Sequence, residues 1–225
     1  MADTTRPSAL SDRSGVTDAV RAQILATEHW SLLATRTMTW TEIFSRATMF
    51  ITVLSAAVVG IALVAQATDF GSGARVFALL VLPVVLLVGL MTFLRLGEAN
   101  SQDIVLVIGM NRLRHAYLEL APELEPYFTT AHHDDHAAIL QSYGAGYRYS
   151  IGRVLGGTPA LVAIINVVLA GVVAALSAQS LGATGAPAIA VGLGGALVAA
   201  AGQAALVARA MARGRADYRP RFPTP

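Results

Sequence analysis

The residues of this chain best suited to chemistry crowd into one short stretch. Glu123-Leu124-Glu125 sits between Pro122 and Pro126, and His132-His133-Asp134-Asp135-His136 follows closely. His132 and His136 are one helical turn apart, a spacing that can place two imidazoles on one metal ion, with Glu123 or Asp135 as an oxygen ligand. Two plainer readings compete. Asp134 and Asp135 suit the first turn of a helix over Ala137–Tyr143, where acids meet the positive helix end. The histidines beside them are then simply solvated, or form a cluster that responds to protonation. Capping with solvation is the preferred reading. Gly144-Ala145-Gly146 lacks the strand and helix of a phosphate loop. Tyr147, Arg148, Tyr149 and Arg153 instead match an interfacial membrane anchor. With no cysteine in the chain, disulfides, thiolate catalysis and Cys-ligated metals are excluded.

The elements that must position these residues are membrane helices. Ala47–Thr68, Val76–Leu94, Val154–Ala186 and Pro187–Ala208 contain no charged residue. Each is long enough to cross ~30 Å of hydrocarbon, which takes about 20 helical residues. Only 13% of the 225 residues are charged, against ~25% in ordinary soluble domains. A soluble bundle also needs a polar face on each helix, which these stretches lack. The predicted class is all-α: four transmembrane helices, with long cytoplasmic helical extensions of the first two spans. The expected order is a disordered tail (1–15), then a cytoplasmic helix, hairpin and second cytoplasmic helix (16–128). Within that part the spans lie at about 47–67 and 76–95. A cytoplasmic connector (129–153) leads to a second hairpin (154–209), with spans at about 158–178 and 187–208. A basic, proline-rich tail (210–225) closes the chain. The polar start lacks the apolar core of a leader peptide, so no cleaved signal is expected.

All sixteen basic side chains are arginines, and their placement sets orientation. Fifteen lie before the first span, between the second and third, or after the fourth; only Arg75 lies in a loop on the other side. By the positive-inside rule both termini are cytoplasmic, in the inner cell membrane. The expected partners are the lipid bilayer, anionic head groups beneath the Arg209–Arg221 tail, and further copies of the chain. No nucleic-acid reading module accompanies the basic tail.

No ionisable residue lies inside any span, which disfavours proton-coupled transport and intramembrane proteolysis. The expected helix contacts are small and polar: Ala56 and Gly60 in the first span, Gly192, Ala196 and Ala200 in the fourth, and the amides Asn166 and Gln203. Pro83 is expected to bend the second span. Thr158 is expected to cap the third. In the cytoplasmic extensions, Trp30, Leu33, Thr37, Trp40 and Phe44 form one stripe, and Leu106, Met110, Leu113, Tyr117 and Leu120 another. The two stripes are expected to pack antiparallel, Leu33 near Met110 and Trp30 near Leu113, within about one turn. Thr39-x-x-Glu42 could be a capping box that breaks the first helix; without it the helix runs on into the membrane.

Glu28-His29-Trp30-Ser31-Leu32-Leu33-Ala34-Thr35-Arg36, Trp40, Ile43-Phe44-Ser45-Arg46, Gly109–Tyr117 and Pro122–Phe128 resemble a group of uncharacterised actinobacterial integral membrane proteins. That resemblance covers Glu28–Phe128 best and implies no activity. The helix–hairpin–helix layout is also similar to SLATT-type two-span effector domains, which implies action at a membrane, pore formation included. The extra pair of spans departs from that pattern, so no functional residue carries over. The expected function is a non-enzymatic oligomeric assembly, scaffold or pore-like, without a cofactor. The rivals are a small-solute or lipid transporter, and a metal-dependent enzyme at the cytoplasmic face.

Overall fold

The computed structural model describes residues 16–144 and 157–225. Among them the protein is all-helical: α1 (Asp18–Ala67), α2 (Ser72–Leu120), a 3₁₀ helix (Pro122–Tyr127), α3 (His136–Ser142), α4 (Thr158–Ser180) and α5 (Ala186–Asp217). Four of these, α1, α2, α4 and α5, are long and apolar enough to cross a membrane.

The 50-residue α1 holds no proline, and its first glycine is Gly60. Thr17 precedes it and accepts the Val20 N–H on its hydroxyl at 3.5 Å, with Asp18 in the first turn. The capping box at Thr39 does not form. Thr39 donates its hydroxyl to the Thr35 carbonyl, and Glu42 pairs instead with Arg46 and Arg95. One helix therefore continues to Ala67. There the chain turns through Asp69 and Phe70, both at positive φ, and the Phe70 N–H closes on the Ala65 carbonyl. Gly71 has no room for a Cβ, which would lie 2.8 Å from the Thr68 carbonyl oxygen. The following α2 runs unbroken past Pro83. Gly157, not Thr158, occupies the N-cap of α4, and Pro159 takes the first turn. At the other end of the second pair, α5 persists to Asp217, into the expected 210–225 tail.

The chain divides into two compact units: Met1–Thr39 with Ser101–Tyr149 and Arg219–Pro225, and Trp40–Asn100 with Ser150–Tyr218. The second unit holds the apolar segments. Its core contains Ile43, Phe50, Leu82, Val85, Phe93, Leu96, Val162 and Leu169. The helices α4 and α5 meet backbone to backbone: a Cβ on Gly171 would lie 3.1 Å from the Gly192 carbonyl and 3.2 Å from Ala196 Cβ. Ala200 is half-buried. Asn166 donates to Gln203 Oε1 at 3.4 Å, and Gln203 donates to the Ala163 and Ala199 carbonyls. Asn166 Oδ1 makes no hydrogen bond and rests in the space that Gly89 leaves beside Phe50. In α1, Gly60 faces Phe77, whereas Ala56 is exposed. The inward stripe there is Phe50, Leu54, Ala57 and Ile61, so Ala56 lies outside the packed face.

Candidate functional site

The first unit is built on two antiparallel helix segments, Asp18–Thr39 of α1 and Ser101–Leu120 of α2. Their register is set by Arg36 on Asp103, Leu32 against Gly109 and His29 beside Tyr117. The face of α1 turned to α2 is thus His29, Leu32 and Arg36, one residue behind the expected stripe. Trp30 and Leu33 are 68% and 38% exposed, and Phe44 further along is exposed as well. The shift has an electrostatic cause. Asp103 is buried on α2 and needs a cation, and bringing Arg36 onto it rotates the whole stripe. Trp40 lies half-buried at the start of the second unit, beside Phe44. On α2, Met110 is buried while Leu106, Leu113 and Tyr117 are half-buried.

Among the described residues of this unit, Asp103 is one of two fully enclosed acids. Arg36 Nε donates to one carboxylate oxygen at 2.7 Å, and Arg36 Nη2 and the Tyr143 hydroxyl donate to the other. The guanidinium also lies over the Tyr143 ring, 5.7 Å from its centroid. The hydrogen bond that Arg36 donates to Asp103 raises the Arg36 pKa, and burial first, then Asp103, raises that of the Tyr143 phenol. The cluster is a clamp: one carboxylate on α2 holds Arg36 of α1 and the Tyr143 hydroxyl just past α3.

Asp134 is the second such acid. It receives Arg112 Nε at 2.8 Å and two backbone N–H groups, Arg221 at 2.9 Å and Phe222 at 2.8 Å. Asn111, also fully buried, donates to the His133 carbonyl and accepts from Ser142 and Arg114. Asp135 is the N-cap of α3 and accepts the Ala138 N–H, as a helix-start acid should. Its second oxygen takes the Thr224 N–H at 2.7 Å. Hydrogen bonds from Thr224 and Ala138 hold the Asp135 carboxyl down at about 2.

The three sequence candidates for a metal are not gathered. His132 lies against His133 and His115, with ring centroids 4.2 and 6.2 Å away. His136 opens α3 and is exposed, and Glu123 is exposed on the 3₁₀ helix. Among the described residues no group of three His, Asp or Glu is arranged to hold a metal ion. Burial is the first cause of the lowered His132 pKa, followed by repulsion from His133. The loop breaks the expected i,i+4 spacing because Asp134 turns inward to Arg112, so His132 precedes the helix that His136 begins. Gly146, Tyr147, Arg148, Tyr149 and Arg153 lie outside the described residues.

The residues that organise this unit and that sequence pattern missed are Asp103, Arg36 and Tyr143. A signal was present: Asp103 falls in step with Val107 and Met110, four and seven residues on, and so on the buried face of α2. No family model, no curated protein and no solved structure matches this chain.

Proposed function

We propose that this chain is a multi-pass protein of the cytoplasmic cell membrane, N-terminus and C-terminus inside, that acts as a non-enzymatic oligomeric assembly, a scaffold or pore-like body of several copies. The orientation rests on the arginine asymmetry. Its surroundings are the bilayer and anionic head groups, with Arg209 and Arg213 exposed on the last turns of α5.

The observation that carries the oligomer is the outer face of α1. Opposite the inward stripe Ile43, Ala47, Phe50, Leu54 and Ala57 stand Thr41, Ser45, Thr48, Thr52 and Ser55, all exposed. Their spacing of four, three, four and three keeps them on one line along the helix. The corresponding face of α2 is Val76, Leu80, Val84, Leu87, Met91 and Leu94, all exposed and all bulky. Lipid tails suit the second surface. A row of short hydroxyl-bearing side chains suits another helix, since it permits close approach and hydrogen bonds across the contact. Thr52 bonds its own helix at the Thr48 carbonyl, which makes the face tolerable in a lone copy without making it lipophilic.

The cysteine-free chain makes the test direct. Thr48→Cys or Thr52→Cys should form disulfide-linked dimers in native membranes, while Leu87→Cys on α2 should not. Equal cross-linking at Leu87, or a single copy per particle by photobleaching, would overturn the oligomer. Conductance of liposomes holding the cross-linked form separates the two outcomes: flux marks the pore-like body, and its absence the scaffold.

A further inference from the structure

The last seven residues are held as a peptide ligand is held. Arg219–Pro225 belongs to the same compact unit as the loop at Ala131–Asp135, though α4 and α5 separate the two in sequence. The segment offers four backbone N–H groups, because Pro220, Pro223 and Pro225 have none. Three of the four are captured: Arg221 and Phe222 by the Asp134 carboxylate, and Thr224 by Asp135. In return the Asp134 N–H donates to the Phe222 carbonyl at 3.1 Å. The Phe222 ring stacks on His115, 4.3 Å between centroids and 27° between planes. Arg112 braces Asp134 from α2, and the amide of Asn111 fixes the loop through the His133 carbonyl.

This is recognition of backbone and of one side chain together. The acids read three N–H groups, two of them consecutive, His115 reads an aromatic ring, and the prolines fall where no donor is needed. Prolines also stiffen the segment before it binds, which lowers the entropy cost of ordering it. Apart from Phe222, which is half-buried, residues 219–225 are exposed, so the segment lies on the unit and is not built into its core.

We propose that the face formed by His115, Asp134 and Asp135 is a recognition site for an extended, proline-flanked phenylalanine peptide, occupied by the C-terminal segment of this chain and exchangeable for the same segment of a second copy. The exchange rests on the oligomeric reading above; the recognition does not. Exchange requires no contact that the single chain does not already make, which is the usual condition for swapping an element between copies.

The test uses the full chain in detergent and a fluorescent peptide of sequence Arg-Pro-Arg-Phe-Pro-Thr-Pro. In the wild type the tethered segment competes at high local concentration, so Phe222→Ala, which weakens that competitor, should bind the peptide at least about tenfold more tightly. Adding His115→Ala to Phe222→Ala should remove this gain while leaving the protein monodisperse; Asp134→Asn is the stronger version where it folds. Equal affinity of the wild type and Phe222→Ala, or binding indifferent to His115→Ala, overturns the recognition site. For exchange, copies carrying Thr224→Cys are mixed with copies carrying His136→Cys, at the exposed neighbour of Asp135. Disulfides between the two support it. Their absence, with Thr48→Cys dimers still forming, ends the exchange and leaves the oligomer standing.

Discussion

The two units solve the same problem, burying polar groups, in opposite ways. In the unit of Asp103 and Asp134, buried charges organise the contacts. Each carboxylate is surrounded by donors, and the helix face that packs is chosen by the arginine that must reach the acid. In the unit of the apolar segments the buried polar set includes the amides Asn166 and Gln203, and contact comes from Phe50, Leu82, Leu96 and a Gly–Ala helix crossing. Each solution fits its surroundings. A charge in the first unit can be repaid by several hydrogen bonds and by water at its edge. Within hydrocarbon no such edge exists, so neutral amides and shape replace it.

The contrast can be broken at its strongest point. Asp103→Ala would strip Arg36 and Tyr143 of their shared acceptor. Breaking a buried pair costs roughly 3–5 kcal/mol, and the effect here should fall near the low end because the Arg36 side chain is 28% exposed. Thermal unfolding in detergent measures it, and a change under about 1 kcal/mol, the range of exposed pairs, would show that charge does not organise this unit. Next comes shape. Gly89→Ala would drive a methyl group into Asn166 Oδ1 and the Phe50 ring, an overpacking cost of about 1–3 kcal/mol. Gly97→Ala, in the same helix with open space around its Cβ position, is the matched control and should be neutral or slightly stabilising.

Smaller still is the amide pair. Asn166→Leu or Gln203→Leu should cost about 0.6 kcal/mol, the mean for hydrogen bonds between membrane helices. A double-mutant cycle with additive effects would mean that the 3.4 Å contact carries no coupling. The smallest effect concerns acid. Asp135 titrates lower when docked than when free, so its contribution is complete above the ordinary value near 3.8 and is lost as pH falls toward about 2. Mobility of a spin label at Pro225→Cys should therefore stay constant through neutral pH and rise only in that acid window. Release near neutrality would assign the tail's docking to other groups.

How much was readable in advance follows from the same contrast. The spans, their lengths and their apolar composition were legible, because transfer of a long uncharged stretch into lipid is a local property. So was the small-residue seam: Gly192 and Ala196 do meet Gly171. The packed stripe on α1 is not legible in this way. Hydrophobicity alone turns Trp30 and Leu33 inward, but one buried carboxylate 67 positions away in sequence turns Arg36 inward instead, with Leu32 on the same face. The arginines of the tail suit anionic lipid on charge alone. Its backbone donors, which the side-chain charges conceal, go to Asp134 and Asp135.

The amino-acid sequence by itself determined that this chain is helical and that four of its helices suit a bilayer, since helix propensity, run length and hydropathy each act over a few neighbouring residues. Tertiary structure alone decided which face of α1 packs, which acids are enclosed and where the C-terminus docks. Those outcomes depend on partners far apart along the chain, whose pairing appears only when the backbone brings a buried charge and its donors within hydrogen-bonding distance.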